Sequence, residues 1–207
     1  PSRAQPHAPP AGQAARPGKG GTFAALLVSI AIPMSATTAI FIWYVTPLTL
    51  ASQGYTPGDV ARVVMLYYLA STLIGPLARG LARGRGGAAL PVIAGAVLTG
   101  LMLLAFRGTG DHWTVLAAVS GCGVGHALIR APMTALAVDL SGASGSRMSL
   151  FRFGERVGAL AGLLASAFIL SSYPPEYAIA ALGVTSLAGA GVFGIVALWA
   201  QTRDGGG

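Results

Sequence analysis

The sequence predicts an all-α membrane protein with six transmembrane helices. Two observations carry the prediction. Six apolar stretches fill the chain from Phe23 to Ala200, with short loops between them. The loops also alternate in charge. Arg3, Arg16 and Lys19 precede the first stretch; Arg79, Arg83 and Arg85 follow the second; Arg147 and Arg152 follow the fourth; Arg203 follows the sixth. The other turns are nearly bare: Asp59 after the first stretch, Arg107 offset by Asp111 after the third, Glu176 after the fifth. A bilayer imposes such alternation, because Lys and Arg are retained on its cytoplasmic side. Both chain ends are therefore expected in the cytoplasm.

Composition agrees. Hydrophobic residues make up 54% of the chain and charged residues 9%, against about 25% charge in soluble domains. A mean hydropathy of +0.68 leaves too little polar surface to coat a water-soluble globule. The net charge of +7 does not point to nucleic acid. Much of it sits on the inside loops and the N-terminal tail, where it meets anionic headgroups. A basic stripe on a soluble fold is missing. Cys122 is the only cysteine, so no intrachain disulfide and no Cys/His ligand cluster is expected. The chain does not begin with Met and is expected to belong to a longer protein. Asn is absent and Lys occurs once, beside abundant Ala, Gly and Arg. That bias suggests a bacterium with GC-rich DNA, and hence a bacterial inner membrane.

Three regions are expected. Residues 1–21 are rich in Pro, Gly, Ala and basic residues and read as a disordered basic linker. Residues 22–201 form the six-helix domain, and 202–207 a short cytoplasmic tail. The first helix runs Phe23–Leu50. It is longer than a hydrocarbon core of ~30 Å requires. Pro33 and Pro47 are its places to bend. The others run Val60–Leu81, Ala88–Phe106, Trp113–Leu140, Ser149–Ser171 and Tyr177–Gln201, each with the ~20 residues that spanning needs. Helices one and four are the longest and most polar, and each opens a set of three, so a 3+3 repeat is plausible. Gln53 to Asp59 form an outer turn, with Thr56 as N-cap and Pro57 in the first turn of the next helix. Arg83 to Gly87 form a permissive basic turn, and Ser172 to Glu176 a rigid outer one. Trp43, Tyr44, Tyr55, Trp113, Tyr173, Tyr177 and Trp199 lie toward helix ends, where amphipathic rings favour the interface.

Arg130 lies inside helix four, about ten residues before its cytoplasmic end, with His126 one turn earlier at i, i+4. A guanidinium at that depth costs at least ~2.5 kcal/mol unless it faces a cavity or a partner. On one reading the pair lines a polar pathway that binds an anionic group or relays a proton. On the other, Arg130 snorkels to the inner headgroups or pairs with Asp139 or Glu155. Arg152, Glu155 and Arg156 open helix five. They read as a charged membrane-surface turn, or as an inner-gate network in which Glu155 meets an Arg of a neighbouring loop. Gly154, Gly158 and Gly162, and Gly121 with Gly125, recur every four residues and let another helix approach closely.

No catalytic set is expected. Gly142-Ala143-Ser144-Gly145 resembles an intramembrane-protease motif, but no His follows it, and Ser144 without a base is a weak nucleophile. Gly121 to Gly125 is a glycine run inside a helix rather than a nucleotide cradle. His7, His112 and His126 are too few and scattered for a metal site. No cofactor is implied.

The segment from Gly75 to Arg85 resembles the signature loop of the major facilitator superfamily, G-x-L-A-D-R-x-G-R-R. Gly75, Leu77, Ala78 and Arg83 match, while Arg79 stands at the signature Asp and Ala82 at its second Gly. Weakened copies of this kind are typical of that family's C-terminal half. The long first helix with Tyr44 and Pro47, followed by Gly54-Tyr55-Thr56, resembles its seventh and eighth helices; glycine-spaced helix five resembles its eleventh. The resemblance covers about residues 23–201. It implies half of a major-facilitator-type bundle, the C-terminal half of a twelve-helix secondary transporter for a small organic solute, proton-coupled. Phe41, Tyr44, His126 and Arg130 would then line the substrate and proton pathway. Gly75, Arg79, Arg83, Arg85, Arg152 and Glu155 would form the inner gate. The implied partners are the lipid bilayer, the small-molecule substrate, and an N-terminal half of the same protein or a second copy. The replaced Asp and the non-Met start also permit another class, a membrane-embedded signalling or anchoring module fused to an upstream sensor domain.

Overall fold

A computed structural model describes residues 19–84, 87–106, 112–142 and 144–204. Among them are six helices long and apolar enough to cross a membrane. They are α1 (Gly20–Ser52), α2 (Pro57–Ala82), α3 (Ala89–Phe106), α4 (His112–Ser141), α5 (Gly145–Ser172) and α6 (Pro175–Asp204). The protein is an all-α membrane bundle, and a lipid bilayer is its environment. The expected linker over 1–21 lies almost wholly outside the described residues, as do Arg85, Arg107 and Asp111.

All the helices but α3 run somewhat longer than their apolar cores suggest. Thr56 explains one extension. Its hydroxyl accepts from the Asp59 amide and donates to the Asp59 carboxylate at 2.6 Å, capping α2 three residues before the apolar run begins. Gly54 turns the chain there at φ 84°, a conformation that costs a residue without a side chain little. The largest difference is at α5, which starts at Gly145 rather than Ser149 because Ser144 takes the N-cap conformation.

α1 departs from regular α-helical geometry just upstream of its prolines. Two π-type segments, Leu26–Ala31 and Thr38–Val45, each end two residues before a proline, Pro33 and Pro47. Proline has no amide to donate, and its ring crowds the carbonyl four residues back. Widened turns upstream absorb both defects. Pro33 cannot bond the Ser29 carbonyl. A Cβ on Gly189 of α6 would meet that same oxygen, so α6 packs directly on the exposed carbonyl.

The packing obeys one rule of exchange. α2 packs on α4 as α5 packs on α1; α3 packs on α4 as α6 packs on α1; α3 and α6 pack on each other. Swapping the first three helices for the last three leaves these pairings unchanged, as a 3+3 repeat requires. Glycine sets the close approaches. A Cβ on Gly123 of α4 would lie 2.5 Å from the Tyr67 carbonyl of α2, and one on Gly158 of α5 would lie 2.6 Å from the Ile32 carbonyl of α1. Gly125 meets Thr99 and Gly95 of α3, Gly121 meets Met102, Gly154 meets Leu27, and Gly162 meets Ala36. At each of the five glycines expected to mediate packing, an added Cβ would meet a neighbouring helix. In lipid, where apolar burial drives association weakly, such close contact is what holds helices together.

α2 and α5 are the least covered. Only 11% and 22% of their apolar windows are buried, against 33% to 56% in the other four. Met65, Leu69, Leu73 and Leu77 make an exposed stripe on α2. Phe153, Val157, Leu160, Leu164 and Phe168 make one on α5.

Candidate functional site

α4 and α5 form a hairpin about the turn at Gly142, where φ is 60°. Arg130 lies eleven residues before Ser141, and Arg156 eleven residues after Gly145. At 1.5 Å per residue both stand about 16 Å from the turn, so antiparallel pairing brings them to one depth. A cavity of about 350 Å³ opens there. α4 supplies Arg130; α5 supplies Arg152, Glu155, Arg156 and Ala159; α2 supplies Tyr67; α1 supplies Met34, Ser35, Thr38, Ala39 and Trp43. Three guanidinium groups and one carboxylate thus share a single space.

The ion pairing within it is local. Arg152 donates to Glu155 at 2.9 Å across one turn of α5, with the Glu155 side chain mostly covered and that of Arg152 half exposed. Glu155 therefore meets an Arg of its own helix rather than one from a neighbouring loop. Arg130 is exposed to the cavity and, among the described residues, has no carboxylate within 4.0 Å. Neither Asp139 nor Glu155 pairs with it. After the Arg152–Glu155 pair, two positive charges remain uncompensated by any acid that lines the cavity.

Behind one wall of this cavity lies His126, 1% exposed. Its Nδ1 meets the Tyr67 hydroxyl at 2.5 Å and Thr38 Oγ1 at 3.3 Å. Tyr67 and Thr38 also line the Arg130 cavity, whereas His126 does not. Although the i, i+4 spacing puts Arg130 and His126 on one face of α4, the Tyr67–Thr38 wall separates them, so the pair does not line one space together. Tyr67 is the functional candidate that sequence reading passes over. A tyrosine in mid-helix shows its partner only once α2 and α4 are packed at Gly123.

The remaining candidates are dispersed. Phe41 is fully buried and packs edge-on against Phe106 at 5.2 Å, inside the core rather than on the cavity. Tyr44 is 41% exposed and also off the cavity. Arg79 and Arg83 are exposed near the end of α2 and contribute nothing to the cavity walls, and a Cβ on Gly75 would touch nothing within 4 Å. Arg85 lies outside the described residues. Of the five inner-gate candidates among the described residues, only Arg152 and Glu155 come together.

No protein-family model matches the chain. Over 133 residues, covering 60% of the chain, the sequence is 30% identical to the multidrug resistance protein Stp of Mycobacterium tuberculosis, in strains CDC 1551 / Oshkosh and ATCC 25618 / H37Rv. The aligned part is 25% of Stp, so the chain spans about a quarter of the length of the curated relatives it matches. Six apolar spans give a multi-pass membrane protein.

Proposed function

We propose that this chain is the C-terminal six-helix half of a major-facilitator-type secondary transporter. It moves a small organic solute across the bacterial inner membrane, with both chain ends cytoplasmic and protons as the coupling ion. One observation carries the reading: Arg130 faces a polar cavity inside the bundle with no acid paired to it among the described residues. A guanidinium held in an apolar helix is costly and is kept where it serves a ligand or a pathway. The excess positive charge selects a solute bearing an anionic group, which Arg can hold by two parallel hydrogen bonds. The relative named for multidrug resistance supports export of organic compounds. A single six-helix bundle cannot rock against itself. The exposed faces of α2 and α5, which flank the cavity residues, would receive the N-terminal half or a second copy.

The test is Arg130→Ala in the full-length protein reconstituted in liposomes, with a fluorescent organic anion and a cation of matched size as probes. Loss of the charged contact is worth about 2 kcal/mol, roughly a 30-fold fall in anion transport. Membrane insertion and monodispersity should be unchanged. Undiminished anion transport by a well-folded variant would reject the assignment.

A further inference from the structure

A second, smaller polar space lies on the far side of His126. It holds about 10 Å³ and is lined by Ser29, Thr99, His126 and Ser186 among apolar neighbours. It sits where α1, α3, α4 and α6 meet, within the packing that Gly125 and Gly189 allow. Two of its lining atoms, His126 Nε2 and Thr99 Oγ1, are fully buried and have no hydrogen-bond partner among the described residues. Leaving a polar group in that state costs about 1–3 kcal/mol, and more in lipid-embedded protein. Native interiors relieve that cost with a bound molecule.

We propose that this pocket is a binding site for one ordered water molecule, held by His126 Nε2 and Thr99 Oγ1. Three arguments select water. The volume is that of about one water-sized sphere, and a buried water needs two to four polar partners. Ser29 gives its hydroxyl proton to the Ala25 carbonyl and keeps its lone pairs, and Ser186 adds another hydroxyl, so partners are sufficient. The pocket contains no carboxylate, and Arg130 stands one turn away on α4, so a metal cation would be uncompensated there.

The site has a consequence for the cavity. Thr38 donates its proton to the Met34 carbonyl at 3.0 Å, so toward His126 it can only accept. If Nδ1 carries the ring proton, Nε2 must accept; if Nε2 carries it, Nδ1 accepts from Tyr67. Water serves either state, because it both donates and accepts. Water, His126 and Tyr67 thus form a continuous hydrogen-bonded chain from the bundle interior to the wall of the Arg130 cavity. His126 and Thr99 are positioning residues in this chain. The inference does not rest on the transport reading.

Solid-state NMR of the full-length protein in lipid bilayers, labelled with ¹⁵N-histidine, tests it. The His126 signals are assigned by their loss in His126→Gln. Transfer of proton magnetisation from bound water should reach Nε2 in the wild type. It should fall at least threefold in Thr99→Val, which keeps the side-chain shape, and fall in Ser186→Ala if the valine variant does not fold. Absence of transfer in the wild type would overturn the proposal. So would transfer that persists unchanged in the folded variant, or a signal that shifts when choline replaces sodium, since that would mark a cation site.

Discussion

Arg152 and Glu155 are hydrogen-bonded at 2.9 Å within one turn of α5, so the acid that shares a cavity with Arg130 is already engaged. The pair trims the positive potential of the site without cancelling it. Glu155→Gln removes that trim and leaves three uncompensated guanidinium groups. At protein-like dielectric and partial solvation the change is about 1 kcal/mol in favour of an anion, roughly fivefold in affinity. Binding of an organic anion to the purified full-length protein should tighten by that factor, and binding of a matched cation should weaken. Equal shifts for both would show that Glu155 acts through shape rather than charge.

Gly158 and Gly75 make a matched pair for testing how the bundle is held. Both are glycines inside helices. A Cβ on Gly158 would press on the Ile32 carbonyl and Cα, backbone that cannot step aside cheaply, while one on Gly75 would meet nothing within 4 Å. Gly158→Ala should destabilise by about 1–3 kcal/mol through overpacking. Gly75→Ala should be neutral or slightly stabilising, since alanine is the better helix former. Thermal unfolding in detergent, followed by tryptophan fluorescence, would separate them. A similar midpoint for the two variants would mean that α1 and α5 do not approach as described.

The six spans were legible because bilayer thickness and charge alternation act on composition alone, before any tertiary contact forms. The packing glycines were marked by their four-residue repeat, which puts them on one helix face where small side chains let another helix approach. Gly95, Gly100, Gly183 and Gly189 make equally close approaches without a four-residue repeat, so nothing in the sequence marks them. The depth match of Arg130 with Arg156 could be counted from the hairpin turn. Phe41 and Tyr44 were named from the family resemblance, which points to lining helices and not to the face each presents; within the π-type segment Thr38–Val45 it is Thr38, Ala39 and Trp43 that line the cavity. Tyr67 and Thr99 stayed hidden because their partners come from other helices, and no local pattern announces a cross-helix hydrogen bond.

Orientation gives the last prediction. The Arg83 turn and the Glu176 turn are separated by α3, α4 and α5. Three crossings place them on opposite sides of the bilayer. On the proposed orientation, charge retention puts the Arg83 side in the cytoplasm. Cys122 is buried and free, so a cysteine-free background is needed before single cysteines are introduced at Arg83 and Glu176. In intact cells a membrane-impermeant maleimide should label Glu176→Cys and spare Arg83→Cys. In inside-out vesicles the pattern should reverse. Labelling of both sites from one side would require an even number of crossings between them. One of α3, α4 or α5 would then fail to span, and Arg130 would no longer lie at the depth on which the cavity depends.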